Sequence, residues 1–231
     1  MNKVSDSIGW ADFSINPVKG LCPMACSYCY ARSMYKRFKW NPKISFDVKP
    51  LLDIEKIKRP SRIFVGSTIE LFGEWVDAFW LDSIFRTVRD NPHHTFIFLT
   101  KQPQNLIKFS PYPPNVYLGV SVTNQEMFNK AIHYLKMIDA KVKFISFEPL
   151  LERITLDQGD YLILNKLQEA GIDWLILGGK SGKPPFYPHE EWIQEIEEAA
   201  DKAGIPVFEK FNLYRDSRQR CLRQKFPERR V

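Results

Sequence analysis

The chain has 231 residues, of which 44% are hydrophobic, 14% aromatic and 26% charged, a balance that suits one large globular domain and excludes a disordered or low-complexity chain. Its net charge of +6 comes largely from the end of the chain, where residues 215–230 carry seven basic side chains against Asp216 and Glu228. No run approaches the ~20 apolar residues of a membrane helix and no signal-peptide pattern opens the sequence, so the expectation is a cytoplasmic protein with no membrane partner.

In chain order, residues 13–17 predict a short first strand, and a cysteine-rich loop follows it. Residues 61–67 predict the next strand. Residues 77–88 predict a helix, with Phe79, Trp80, Ile84, Phe85 and Val88 at three-to-four spacing. Strands are predicted over 95–100 and 116–122. A helix over 124–138 starts at Asn124, a good N-cap, with Glu126 in its first turn. A strand over 142–147, a helix over 161–170 stopped by Gly171, and a strand over 173–177 come next. The helix over 189–203 buries Trp192, Ile193 and Ile196 and stops at Gly204; residues 205–211 predict a last strand, with Pro206 at its start.

The strands are continuous apolar runs, as strands covered on both faces are. Strand followed by helix, about six times, predicts a parallel sheet with helices outside, either open and doubly wound or closed toward a barrel. One domain spans residues 1–231, with a basic tail over about 212–231. Such a tail attracts nucleic-acid phosphates, although a solvated terminus is the commoner reason for one. Chemistry in these folds sits at the C-terminal ends of strands. His93 and His94 precede a strand and read as structural; His133 and His189 fall in or before helices. Lys101, Glu148 and Lys180 stand at strand ends and Lys210 in the last apolar run. A charge at such a mouth is costly unless paired or used, so Glu148, Lys101 and Lys180 are candidate catalytic groups, with an ion pair between Glu148 and a lysine as the competing reading.

Cys22, Cys26 and Cys29 form a C-x3-C-x2-C loop after the first strand. Four cysteines in a chain of this length do not make a disulfide scaffold, and clustered thiols in a reducing compartment read as metal ligands. Zinc sites favour two C-x2-C pairs or Cys/His pairs. Here the one distant cysteine is Cys221, in the basic tail. Three thiolates suit an iron–sulfur cluster that lacks its fourth protein ligand, leaving one iron open.

The loop, with Tyr28 ahead of the third cysteine, resembles the signature of the radical-SAM superfamily. The resemblance implies a partial (β/α)6 TIM-type barrel in the α/β class, with the cysteine loop after the first strand. It implies a [4Fe–4S] cluster on Cys22, Cys26 and Cys29, S-adenosylmethionine (SAM) on the open iron, a 5′-deoxyadenosyl radical as the reactive species, and an electron donor such as flavodoxin or ferredoxin. Tyr28, Gly66, Ser67, Thr68, Ser121 and Thr123 are then candidate SAM contacts, and so are Gly178 and Gly179 in the loop Leu177-Gly-Gly-Lys-Ser-Gly182. Asn16-Pro17, Cys29-Tyr-Ala31, Ile69-Glu-Leu-Phe72, Leu99-Thr-Lys101, Asn115-Val-Tyr-Leu-Gly-Val-Ser121, Ser146-Phe-Glu-Pro-Leu-Leu151 and Ile172-Asp-Trp-Leu-Ile-Leu-Gly-Gly179 resemble a subfamily of small phage-type radical-SAM proteins. Two positions depart from it: Lys180 stands in place of a glutamate and Thr123 in place of an acid. The subfamily is similar to queuine lyases, which implies a small 7-deazaguanine substrate and C–N cleavage releasing 7-aminomethyl-7-deazaguanine in queuosine salvage. Asn16, Glu70, Glu148 and Lys210 are the candidate substrate contacts; a carboxylate such as Glu148 or Glu70 would accept the N–H groups of a guanine-like face. The alternatives are a radical-SAM enzyme acting on nucleic acid, in tRNA modification or DNA lesion repair, and a non-catalytic metal-binding module.

Overall fold

The computed structural model describes residues 1–155 and 161–227. Its strands are β1 (Asn2–Lys3), β2 (Phe13–Ile15), β3 (Val18–Lys19), β4 (Ser45–Phe46), β5 (Arg62–Val65), β6 (Thr95–Thr100), β7 (Val116–Ser121), β8 (Val142–Phe147), β9 (Trp174–Leu177) and β10 (Val207–Glu209). The main helices are α1 (Tyr30–Phe38), α2 (Lys49–Leu52), α3 (Ala78–Asp90), α4 (Gln125–Leu135), α5 (Tyr161–Glu169) and α6 (Glu190–Ala203). An eight-stranded sheet runs in the order β1-β2-β5-β6-β7-β8-β9-β10. Only β1 is antiparallel to its neighbour. The expected α/β partial barrel is therefore the observed fold, with every predicted strand in place.

The period-2 alternation of the strands builds two cores. Outward residues such as Ile63, Val65, Phe98, Leu118 and Ile145 meet the helix layer. Inward residues from successive strands, among them Phe64, Ile97, Tyr117, Phe144, Trp174 and Phe208, join Trp10 in one inner cluster. Trp10, ahead of β2, lies 6.4 Å from Trp174 on β9, centroid to centroid. Early and late strands meet across the interior, so the sheet is curled into a barrel wall. Below the mouth the barrel is a packed aromatic plug; above it the inward side chains become small or polar.

Phe79 lies on the predicted apolar face of α3 but is 70% exposed, while Leu81, Ile84, Phe85 and Val88 carry the burial. It sits in the first turn, before the helix reaches the sheet. Its neighbour Trp80 instead stacks on Phe46 at 5.7 Å. That contact seats the small β3–β4 sheet, whose pairing of Val18 with Phe46 brings together the ends of the cysteine-bearing segment.

The basic tail is not simply solvated. Its described part runs back along the free edge of β10, with Glu209 N–H donating to Arg223 O at 2.7 Å and Lys225 N–H to Val207 O at 3.1 Å. Phe226 packs on Trp174 and Phe208, under the Arg62 guanidinium. The tail thus covers an exposed sheet edge. Arg220 pairs with Glu190, and Arg223 with Asp201 and Glu197. Residues 228–231 of the predicted tail lie outside the described residues.

Beneath this strap sit two carboxyls. Glu209 accepts from the Tyr214 hydroxyl at 2.7 Å and from Arg223 N–H at 2.6 Å. Burial first, then the Glu209 charge, pushes the Glu197 carboxyl up to about 7, with Arg223 opposing. A carboxyl raised on folding stabilises the fold fully below its unfolded value near 4.5, and that stabilisation is lost as pH rises through about 7. Melting temperature should therefore fall between about pH 5 and pH 8. Glu197→Gln should flatten that fall and raise the melting point at the alkaline end. An unchanged slope in the variant would show that another group titrates.

Candidate active site

The cysteine loop leaves β3 and closes on α1. Ala25 takes a left-handed turn (φ +50°) between the first two cysteines, a conformation that costs an alanine about 1 kcal/mol and persists only where surroundings hold it. The Arg32 guanidinium donates to Cys22 O at 2.9 Å and Gly20 N–H donates to the Tyr35 hydroxyl at 2.7 Å, so α1 staples the loop from below. Cys29 is itself the N-cap of α1. All three cysteines are free and half-buried. Burial pushes the Cys22 thiol up, with Glu70 N–H, 3.5 Å from its sulfur, opposing.

The loop faces a cavity of about 1000 Å³ at the C-terminal mouth of the barrel. That volume, at the upper end for ligand sites, accommodates a nucleoside-sized cofactor beside a second molecule. Of the residues singled out from the sequence, Cys22, Cys26, Cys29, Tyr28, Asn16 and Lys101 line it. So do Gly66, Ser67, Thr68 and Ser121, and, on the later strands, Glu148, Gly179, Lys180 and Lys210. Strand parity explains the convergence. Stepping two residues outward from the inner cluster leads from Phe144 to Ser146 to Glu148, and from Phe208 to Lys210.

At several positions the structure departs from the sequence reading. Glu70 also lines the cavity, but both carboxylate oxygens are taken: Oε1 accepts from Thr100 Oγ1 at 2.7 Å and Phe72 N–H at 3.1 Å, and Oε2 from Lys101 N–H at 2.7 Å. It braces the ends of β5 and β6 instead of offering a free acceptor. Thr123 is buried outside the lining, and its hydroxyl donates to Met127 Sδ at 3.2 Å. Burial and the adjacent Cys26 push the Tyr28 phenol up. Gly178 lies behind Lys210 and Glu148, and a side chain on Gly179 would strike Asn212 O at 2.4 Å. Gly179 is thus needed for close packing of the protein's own backbone, whereas Gly178 meets only side-chain atoms, at 3.2–3.4 Å. Gly66 is likewise a turn glycine, at φ +81° against Leu71.

Asn16 and Ser67 bond each other, Asn16 Nδ2 to Ser67 Oγ at 3.0 Å, and Asn16 Oδ1 accepts Thr68 N–H at 3.2 Å. The Tyr30 hydroxyl donates to Ser67 O at 2.7 Å. Glu148 forms an ion pair with Lys210 inside the cavity, as the competing reading of that residue held. Removing one partner leaves the other charge largely buried and alone. Glu148→Gln and Lys210→Met should each cost about 2 kcal/mol, and the double variant should recover part of it. A thermal double-mutant cycle checks this; strictly additive losses would show that the pair is not coupled.

Sequence reasoning passed over Ser146 and Ser14. Both are buried in the cavity lining. Ser146 pairs in register with Ser121, and its Oγ has no hydrogen-bond partner. Two residues before Glu148, it was findable by parity alone. A buried hydroxyl without a partner costs about 1–3 kcal/mol unless a ligand satisfies it. Lys101, Lys180 and Lys43 also line the cavity, and among the described residues none of them forms a salt bridge. The mouth therefore carries excess positive charge.

The donor set fits a cluster better than a single ion. Among the described residues, no three His, Cys, Asp or Glu side chains converge on one metal position. A [4Fe–4S] cube takes each thiolate on its own iron and so accepts them spread apart. Cys221 is exposed on the tail, away from the cavity lining.

A partial β/α barrel with a three-cysteine loop at its mouth is the class that fold and site define together. The chain belongs to the family described as "Protein of unknown function (DUF5131)", whose model matches residues 5–225. No curated protein matches it. Among solved structures it is similar to spore photoproduct lyase. A cysteine-to-serine mutant of that enzyme gives a TM-score of 0.61 at 13% identity, over 91% of this chain and 80% of that one. The lyase complexed with dinucleoside spore photoproduct gives 0.54 at 12% identity, over 80% and 73%. A tyrosine-to-phenylalanine mutant gives 0.53 at 13%, over 89% and 78%. At such identities the likeness is one of fold. No helix among the described residues is long and apolar enough to cross a membrane.

Proposed function

We propose that this protein is a radical-SAM enzyme acting on a nucleotide within nucleic acid. The carrying observation is the C-x3-C-x2-C loop, stapled to α1 and opening on the cavity at the barrel mouth. Cys22, Cys26 and Cys29 would hold the cluster, which when bound supplies one electron, taken from a reduced flavodoxin or ferredoxin, to split SAM into methionine and a 5′-deoxyadenosyl radical. The protein's own residues bind and orient. Ser67, fixed by Asn16, and the paired Ser121 and Ser146 present hydroxyls to the cofactor or substrate. The barrel's aromatic plug closes the far end and keeps water from the radical. Such a cluster with free thiols belongs in a reducing compartment, the cytoplasm.

Lys43, Lys101 and Lys180 favour a phosphate-bearing substrate. The fold shared with an enzyme complexed with dinucleoside spore photoproduct supports the same reading. Queuine C–N cleavage is the second reading, favoured by Glu148, which enters the cavity as a carboxylate beside a cation. Glu70 no longer supports it. The test is anaerobic reconstitution followed by assay with SAM and reductant. We expect iron with acid-labile sulfide and 5′-deoxyadenosine, formed faster with a lesion- or modified-base oligonucleotide than with queuine. Zinc without sulfide would overturn the enzyme reading. Consumption of queuine with no oligonucleotide response would replace the substrate.

A further inference from the structure

Between Asp12 and Asp47 the chain has no acidic residue, while it has Lys19, Arg32, Lys36, Arg37, Lys39 and Lys43. Arg32 is spent on the cysteine loop and Lys19 on Asp47. The other four form no salt bridge among the described residues. Charge alone would make this a solvated face, but the aromatics between the cations do not fit that explanation. Phe38 and Trp40 are 51% and 42% exposed and stack on each other at 5.5 Å with 23° between planes. Arg37 lies over the Phe38 ring at 5.2 Å, and Tyr35 meets Trp40 edge-on at 5.3 Å. Lys39 takes the left-handed conformation (φ +50°) as the C-cap of α1, which reverses the chain and brings Trp40 N–H back to Tyr35 O at 3.3 Å. A non-glycine residue is thus held in a costly conformation where the turn sets two large rings in water side by side. The strip also joins the site, since Trp40 and Lys43 line the cavity.

We propose that the α1–β4 segment, Lys36 to Lys43, is a docking strip for single-stranded nucleic acid that leads the strand into the cavity. Lys36, Lys39 and Lys43 meet phosphates. Trp40, Phe38 and the Arg37 plane stack with the bases that flank the reacting nucleotide, the mode by which single strands are held without sequence reading. This inference rests on the nucleic-acid reading of the site and deepens it.

The test is fluorescence anisotropy of the full-length holoprotein with labelled single-stranded and duplex oligonucleotides across a salt series. Three phosphate contacts predict a slope of log K against log salt of about −2. Reversing Lys36 and Lys39 to glutamate should remove about 1.4 of that slope. Phe38→Ala with Trp40→Ala, both exposed and so tolerable to the fold, should weaken binding about tenfold or more while sparing the slope. Duplex preferred over single strand, or affinity indifferent to both variant sets, would overturn the proposal. If the wild-type holoprotein still forms 5′-deoxyadenosine in that event, only the strip has failed. If the wild type lacks sulfide-containing iron, the underlying reading has failed instead.

Discussion

Protein with Cys26 replaced by alanine is expected to lose its iron–sulfur cluster and, with it, cleavage of SAM by a factor of at least ~10³, because three protein thiolates are already one fewer than such clusters ordinarily have. Cys22→Ala and Cys29→Ala should do the same. Cys221→Ala should not, since that thiol is exposed on the tail and does not line the cavity. The size of the effect follows from the loop's geometry. Each cysteine is placed by a different constraint: Cys22 by Arg32 and Glu70 N–H, Cys26 by the Ala25 turn, Cys29 by the start of α1. Among the described residues, no other cysteine and no histidine lines the cavity as a substitute ligand. Iron and sulfide content after anaerobic reconstitution checks the prediction, with about four of each per wild-type chain. Arg32→Ala should act more mildly, loosening the loop and lowering cluster occupancy without abolishing it. Wild-type iron content in all three cysteine variants would refute the assignment of the loop.

The barrel and its mouth were legible because both are written in short-range patterns. Continuous apolar runs mark strands buried on two faces, and the β/α order leaves few topologies. Strand ends then select Lys101, Ser121, Glu148 and Lys180 without any knowledge of contacts. Pairings across the sheet were not legible. Whether Glu148 is free or bound to Lys210 depends on the register of strands 62 residues apart, and sequence offers both readings equally. Glu70 looked available because its partners are mostly backbone N–H groups, which sequence does not display. The tail misled in the same way. Phe226 and Arg223 are unremarkable in a basic run, and only the free edge of β10 and the acids of α6 give them a place. Phe79 followed helical spacing into a first turn that the sheet does not cover.

Glu70 carries the largest stability effect expected outside the aromatic core. Glu70→Ala would strand Thr100 Oγ1, Phe72 N–H and Lys101 N–H in a region where Glu70 itself is 7% exposed. An orphaned buried donor costs about 1–3 kcal/mol. A loss of about 4 kcal/mol is expected, some 8–16 °C in melting temperature for a domain of this size. Glu70→Gln separates bracing from substrate binding. Its carbonyl oxygen keeps Thr100 and Phe72, but its amide sets a donor against Lys101 N–H, so about half the loss should remain. A residue that merely accepted substrate N–H groups would lose turnover on that change and keep its melting point. The brace also reaches the cluster loop, because Glu70 N–H points at Cys22 Sγ and Trp75 Nε1 donates to Glu70 O at 3.2 Å. Both variants should therefore release iron faster to a chelator than the wild type does. Wild-type melting in Glu70→Ala would sink the brace and return Glu70 to the list of ligand contacts.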